Sequence, residues 1–96
     1  MTTLHIEHPI TDLNAWLAAF DSLAPARAHA GVQAQRVLHP VDDPRYIFVD
    51  LDFATTDDAQ RFLTFLQDNV WSSAASSPAL AGAPQTKLLQ TASYAT

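Results

Sequence analysis

Hydrophobic and polar residues alternate at the start of the chain, in the segment TLHIEH. Leu4 and Ile6 point to one side and His5 and Glu7 to the other, which is the period of a β-strand with one buried face. Proline has no N–H group to donate to a neighbouring strand, so Pro9 ends the segment. We therefore predict a first strand that carries His5 and Glu7 on its polar side.

From Leu13 onwards the apolar residues recur at spacings of three and four, which predicts an amphipathic helix. Thr11 or Asp12 is suited to cap its N-terminus. Pro25 interrupts the helix and Gly31 is a typical stop, so we expect a kink or a short second helical segment between them. The apolar stripe consists of Leu13, Trp16, Leu17, Phe20, Leu23 and Ala24.

A second helix is predicted from the cluster TTDD, where Thr55 and Asp58 have the spacing of a capping box. Its apolar stripe consists of Ala59, Phe62, Leu63, Leu66 and Val70. Residues 72–84 show no period and are rich in Ser, Pro and Gly, so we expect a loop with one helical turn near residues 78–81. The predicted strands are residues 3–8, 32–39, 46–53 and 86–93.

The elements follow one another in the order β-α-β-β-α-β. This order predicts a ferredoxin-like α+β fold, in which a four-stranded antiparallel sheet carries both helices on one face. A length of 96 residues suits one domain, residues 1–96. The other face of the sheet would be bare and only 16% of the residues are charged, so we expect another chain to cover part of the surface.

The stretch His39–Phe53, HPVDDPRYIFVDLDF, holds a histidine, an arginine and four aspartates. Asp43 followed by Pro44 fits the first positions of a type I turn, and Asp42 can bond the nearby backbone as an Asx turn. We therefore interpret this stretch as a hairpin turn and a strand rather than as a metal or catalytic site.

Composition argues against several classes of partner. The net charge is −5, and Lys87 and the four arginines are spread along the chain, so no basic stripe is available for nucleic acid. No apolar run approaches the roughly 20 residues of a membrane span. Cysteine is absent, which leaves neither disulfides nor CxxC metal sites. We expect a cytoplasmic protein without a cofactor.

A metal site is not expected from the histidines either. A catalytic zinc ion needs three protein ligands. His8 falls on the opposite strand face from His5, and His29 and His39 lie on other elements. The sequence therefore predicts no metal.

Several motifs are spread over nearly the whole chain. The motif H-x-x-x-D-x-x-x-W-x-x-x-F-D comprises His8, Asp12, Trp16, Phe20 and Asp21, and A-P-x-R with a following glycine comprises Ala24, Pro25, Arg27 and Gly31. The hairpin D-D-P, Asp42–Pro44, and W-x-S...S-P-A-L-A-G-x-P, Trp71–Pro84, follow. In these motifs the chain resembles the dimeric α/β-barrel superfamily that includes the antibiotic-biosynthesis monooxygenases, and a group of small uncharacterised proteins within it.

The resemblance implies a homodimer whose two open sheet faces meet. It also implies a ligand cleft, either between each sheet and its helices or at the sheet interface. The chain lacks an Asn/Trp/Trp set placed as in the enzymatic monooxygenases. Haem binding, known in relatives, would need a histidine directed into the cavity, and no segment marks one.

The candidate ligand-binding residues are His5, Glu7, Phe48, Asp50 and Trp71. His5 and Asp50 have matching parity on the open face, and a histidine oriented by a carboxylate is the usual general base, with a pKa of about 6.5 that suits neutral pH. They are thus candidates for catalysis, the alternative being a hydrogen-bonded pair at the interface. Trp71, one residue off the helical stripe, could wall a pocket or close the dimer.

The arginines bear on the charge of a substrate, because a lone buried arginine would indicate an anion. Arg45 lies in a turn and Arg61 on the polar side of a helix. This leaves Arg36, on a strand whose facing is open, as the candidate.

Three functions follow from these observations. The first, which we adopt, is a homodimeric domain that binds a small, partly apolar organic molecule. The second is a cofactor-independent monooxygenase or cyclase acting on a polyketide-like or phenolic substrate. In it His5, assisted by Asp50, would abstract a proton, and Trp71 and Phe48 would line a dry cavity. The third is a structural dimerisation module without a ligand.

Overall fold

The structure, a computed structural model, describes residues 1–92 as an antiparallel four-stranded sheet with helices packed on one face. The strand order β2-β3-β1-β4 is that of the ferredoxin-like fold, so the predicted fold class is confirmed. The elements are β1 Thr2–Pro9, α1 Leu13–Ser22, α2 Ala24–Ala30, β2 Ala34–Leu38, β3 Tyr46–Phe53, α3 Thr56–Phe65 and β4 Gln85–Leu89. None of these helices is long and apolar enough to cross a membrane.

The hydrophobic core lies between the sheet and the helices. Alternate residues of β1 and β3 face this core, and the antiparallel register pairs Leu4 with Leu51 and Ile6 with Val49. On the helical side, α3 contributes Phe62. Because the side chains of a strand alternate, the remaining residues of β1 and β3 are left on the open face of the sheet.

The first helix is broken into two segments, as predicted. Asp12, and not Thr11, caps α1 by accepting a hydrogen bond from the N–H of Ala15 at 2.8 Å. Pro25 lies in the first turn of α2, where its missing N–H does not matter. Gly31 ends α2 with a φ of 90°, a left-handed conformation that favours glycine.

α3 continues into a wider helical turn. The Thr55 hydroxyl caps α3 by accepting a hydrogen bond from the N–H of Asp58 at 3.1 Å. After Phe65 the chain forms a π-helical turn, Leu66–Val70. In this turn the N–H of Trp71 donates to the carbonyl of Leu66 at 2.8 Å, a spacing of five residues.

The loop between this turn and β4 is fastened to the end of β1. The N–H of Thr11 donates to the carbonyl of Ala79 at 2.9 Å, and the N–H of Ala81 donates to that of Pro9 at 3.2 Å. Gly82 approaches Pro9 so closely that a Cβ atom there would lie 2.9 Å from its Cγ. The helical turn predicted near residues 78–81 is reduced to a single hydrogen-bonded turn, in which the N–H of Leu80 donates to the carbonyl of Ser77 at 3.2 Å, because the neighbouring backbone groups bond to Pro9 and Thr11.

Two strands are shorter than predicted. β2 begins only at Ala34, because the N–H of Val32 still bonds the carbonyl of Arg27 at the end of α2. β4 ends at Leu89, and Ser93, the last residue of the predicted strand, lies outside the described residues.

The D-D-P stretch forms a turn between β2 and β3, in agreement with its interpretation as hairpin chemistry. The Asp43 carboxylate accepts a hydrogen bond from the N–H of Arg45 at 2.9 Å, and the N–H of Asp43 donates to the carbonyl of Pro40 at 3.1 Å. Asp43 therefore makes the Asx-type contact that was assigned to Asp42.

Candidate functional site

β1 and β3 hold His5 between two carboxylates on the open face of the sheet. The register pairs His5 with Asp50. The imidazole Nδ1 lies 2.7 Å from Asp50 Oδ1, and Nε2 lies 2.8 Å from Glu7 Oε2. An ionised carboxylate only accepts hydrogen bonds, so the doubly protonated imidazolium is the form of His5 that can donate to both partners.

The two carboxylates raise the pKa of His5. The hydrogen bond with Glu7 is the largest cause, burial opposes it, and Asp50 adds to the rise. The hydrogen bond with His5 is in turn the largest cause that lowers the pKa of Glu7. The Tyr46 hydroxyl donates to Glu7 at 3.0 Å, and this second hydrogen bond also lowers the pKa of Glu7 and raises that of Tyr46. A histidine held in this way is a poor general base at neutral pH, because two carboxylates stabilise the proton that it would have to lose.

Further contacts extend this cluster towards β2. Arg36 lies 3.6 Å from carboxylate oxygens of both Asp50 and Asp52, and the Thr3 hydroxyl donates to Asp52 at 2.6 Å. The Phe48 ring lies beside His5, with centroids 6.1 Å apart. The open face therefore brings together four of the five predicted ligand-binding residues, His5, Glu7, Phe48 and Asp50. Within residues 1–92, no group of three or more His, Asp or Glu side chains could hold a metal ion.

Trp71, the fifth predicted residue, lies on the other side of the sheet. It lines a cavity between the helices and the sheet, whose floor includes Ile6 and Val49. The π-helical turn explains this position: one extra residue per turn rotates Trp71 from one position off the apolar stripe onto the buried side, above Leu66. The expectation that Trp71 and Phe48 line the same cavity is therefore wrong within one chain.

The cavity is mostly apolar and is walled by every layer of the fold. Its lining includes Ile6, Val49 and Leu51 from the sheet, Trp16, Phe20 and Arg27 from α1 and α2, Phe62, Leu66 and Trp71 from α3 and the π-helical turn that follows it, and Ser77, Ala79 and Leu80 from the loop. Its volume, counted over the centres of water-sized spheres, is about 70 Å³. At roughly 10 to 15 Å³ per water this space holds about five waters.

His8 supplies a buried hydrogen-bond acceptor to this cavity. It is 3% exposed and lines the cavity beside Trp16, at 6.3 Å between ring centroids. Its Nδ1–H donates to the carbonyl of Pro9 at 3.0 Å, which leaves Nε2 as an acceptor without a partner among residues 1–92. Burial lowers the pKa of His8, so the ring is neutral at neutral pH. His8, at the end of β1, therefore lines the cavity.

Arg27 supplies a buried cation to the same cavity. It is 6% exposed, one of its Nη atoms donates to the carbonyl of Phe20, and its Cζ lies 3.7 Å from the centroid of the Phe20 ring. Burial lowers the pKa of Arg27, an effect that nearby Asp21 partly offsets. Arg36, the arginine singled out from the sequence, has a side chain that is 51% exposed and pairs with aspartates. The lone buried arginine is Arg27 and not Arg36.

The sequence indicated that His8 faces the helices, but it did not indicate which way Arg27 faces. His8 shares the parity of Leu4 and Ile6 in β1, which places it on the helix side. The facing of Arg27 depends on the angle between α1 and α2, and the helical period cannot be continued across that break.

The fold and the cavity together define a ferredoxin-like α+β protein with an apolar, ligand-sized space between its two layers. No family model matches the sequence, and no curated protein matches it either. The comparisons that bear on the chain are therefore those with solved structures.

Several solved structures share this fold over nearly their whole length. A protein of unknown function from Nitrosomonas europaea has a TM-score of 0.73 at 17% identity, covering 99% of this chain and 92% of that one. A proposed antibiotic biosynthesis monooxygenase from Bordetella bronchiseptica has a TM-score of 0.72 at 15% identity, covering 95% and 97%. An uncharacterised NIPSNAP domain protein from Burkholderia xenovorans has a TM-score of 0.66 at 11% identity, covering 100% and 99%. At these identities the likeness confirms the fold that the resemblance implies.

Proposed function

We propose that the protein binds a small, partly apolar organic molecule in the cavity between the sheet and the helices. The observation that carries this proposal is the unpartnered Nε2 of buried His8 in a mostly apolar cavity. Every fully enclosed polar side-chain atom in the described residues has a partner, so Nε2, which has none, is not fully enclosed, and His8 lines the cavity. Ligand sites characteristically combine apolar walls with a few such polar groups, which fix orientation.

The wall of the cavity suits a flat ligand. The rings of Trp16 and Phe20, one helical turn apart on α1, are stacked with centroids 5.0 Å apart and an interplanar angle of 18°. One face of Phe20 is covered by Trp16 and the other by the Arg27 guanidinium, so a ring-shaped ligand would pack against the edges of these rings. This aromatic wall favours a molecule with a single aromatic ring or a body of that size.

The proposal includes a homodimer formed through the open face of the sheet. On that face, Leu38 and Leu89 are 54% and 41% exposed and flank the paired charges around His5. A second copy placed face to face would bury these leucines together with Phe48. The candidate ligand residues of the open face would then lie in the interface, where we propose that they hold the two sheets in register.

Tryptophan fluorescence offers a direct test of ligand binding, because the chain has two tryptophans, Trp16 and Trp71, and both line the cavity. The probes are 4-fluorophenol and 4-fluorobenzamide, with ¹⁹F line width as a second signal. Ala19→Phe would fill the cavity, whereas Ala18→Phe adds the same ring at an exposed neighbouring position. We expect binding to weaken at least about tenfold in the Ala19 variant alone. Equal affinities, or no binding, would favour a structural dimerisation module without a ligand.

A second candidate function is a cofactor-independent oxygenase acting on a phenolic substrate. His8 favours it, since a neutral, buried imidazole can accept the phenol proton, a role that His5 is poorly placed to fill. The phenolate would then pass electrons to O₂, with one oxygen atom completing a quinone and the other leaving as water. Oxygen uptake with phenol, abolished in His8→Gln and retained in His5→Gln, is the expected result. Uptake that depends on His5 instead would contradict this assignment.

A further inference from the structure

Arg27 is unusual among the cations of this chain. The arginines that form ion pairs, Arg36 and Arg61, have largely exposed side chains. Arg27 is buried, yet no carboxylate oxygen among residues 1–92 lies within 4.0 Å of its guanidinium. Asp21, the acid whose charge reaches it, is itself exposed to solvent. A buried charge without a counter-ion is costly, so this position calls for an explanation.

The contacts of Arg27 orient its guanidinium without using most of its donors. The plane stacks on the Phe20 ring, and one Nη donates to the Phe20 carbonyl. A guanidinium has five N–H donors arranged as a rigid fork. No other side-chain hydrogen bond of Arg27 occurs in residues 1–92, and none of its nitrogens is fully enclosed without a partner. Donors therefore remain open in a group that lines the cavity.

We infer that the ligand of this cavity is a small organic anion, an apolar body of about one ring whose carboxylate pairs with Arg27. This inference rests on the proposed function, since it names the class of molecule that the cavity binds. A carboxylate matches the guanidinium fork with two parallel hydrogen bonds.

The aromatic wall places this cation relative to the rest of the site. Consecutive contacts run from His8 to Trp16, from Trp16 to Phe20 and from Phe20 to Arg27, with the acceptor at one end and the cation at the other. The apolar body of the ligand would lie along the two rings between them. The alternative is a purely structural role, in which Arg27 links α2 to the end of α1 by its hydrogen bond to the Phe20 carbonyl.

The test compares two probes that differ in charge, 4-fluorobenzoate and 4-fluorobenzamide, by ¹⁹F line broadening and tryptophan quenching. We expect the wild-type protein to bind the benzoate at least about tenfold more tightly than the amide. Arg27→Gln should remove this preference, and Arg27→Lys should retain part of it. Because the readout is a ratio of two affinities within each variant, it does not depend on the fraction of folded protein.

The possible outcomes separate the inference from the proposed function. Equal binding of both probes by the wild-type protein would overturn the anionic ligand while leaving the binding function intact. A benzoate preference that survives in a folded Arg27→Gln, checked by circular dichroism, would also overturn it. If Arg27→Gln does not fold, two other results support the inference: loss of the benzoate preference in Arg27→Met, or a wild-type benzoate preference that weakens with salt. The absence of both results overturns it. Binding of neither probe would count against the proposed function itself.

Discussion

His5 and Asp50 face each other across β1 and β3, with Nδ1 of the imidazole 2.7 Å from Oδ1 of the carboxylate. Glu7 occupies the second ring nitrogen. The pKa of His5 is raised, so its contribution to stability is complete below its unfolded value of about 6.5 and is lost as the pH rises through the folded value. The pKa of Glu7 is lowered, so its contribution is lost on acidification. The stabilising contributions of His5 and Glu7 are therefore both present between about pH 4.5 and 6.5.

His5→Gln should therefore destabilise the protein more at about pH 5.5 than at about pH 8.5. The measurement is the urea concentration at half-unfolding for the wild type and the variant at both pH values. His39→Gln serves as the control, because His39 is exposed and contacts no carboxylate within residues 1–92. A loss for His5→Gln that is the same at both pH values would show that the carboxylates do not hold the imidazolium.

His8 should respond to pH in the opposite direction. Burial lowers its pKa, so below about pH 6.5 the unfolded chain binds a proton that the folded protein does not take up, and stability falls as the pH falls. His8→Gln should reduce the acid-induced loss of stability between about pH 7 and 5.5, whereas His5→Gln should increase it. The check is the same urea series, with imidazole ¹⁵N shifts reporting Nε2 unprotonated at neutral pH. A protonated Nε2 there would contradict the prediction.

The open-face dimer predicts a variant that separates association from folding. Leu38→Glu places a charge at the proposed interface, where burial without a partner is costly, so the dissociation constant should rise at least about tenfold. Val41→Glu adds the same charge in the fully exposed turn between β2 and β3 and should leave association unchanged. Sedimentation velocity over a concentration series measures both. If the two variants associate equally, another surface must form the dimer.

The close approach of Gly82 to Pro9 predicts a coupled pair of substitutions. Gly82→Ala places its Cβ against Pro9 Cγ, at 2.9 Å before any adjustment, and should cost about 1 to 3 kcal/mol of unfolding free energy. Adding Pro9→Ala should recover part of that loss, because the opposing atom is then gone. The double-mutant cycle is measured by urea unfolding, and additive losses would argue against this contact.

Local patterns predicted most of the fold. The caps at Asp12 and Thr55, the break near Pro25 and the stop at Gly31 all follow from backbone chemistry within a few residues. The turn expected near residues 78–81 does not extend into a helix, because the backbone of that loop also bonds to Pro9 and Thr11, which are distant in the chain. Its partner cannot be identified from local sequence.

The candidate site was predicted less well, for reasons that differ from residue to residue. Parity brought His5 and Glu7 to the open face correctly, since a strand alternates whatever its partners are. Trp71 lines the cavity because of a π-helical turn, which the α-helical spacing of apolar residues does not predict. Arg27 was overlooked in favour of Arg36, because its burial depends on how two short helices meet.

The sequence by itself determined the order of elements and the faces of the residues in β1 and β3, because hydrophobic periodicity and capping are local and each is repeated along the chain. The tertiary structure alone decided that His5 meets Asp50, that Nε2 of His8 is left without a partner, and that Arg27 and Trp71 share a cavity with it. These relationships depend on strand register and on the packing of helices against the sheet, which join residues far apart in the chain.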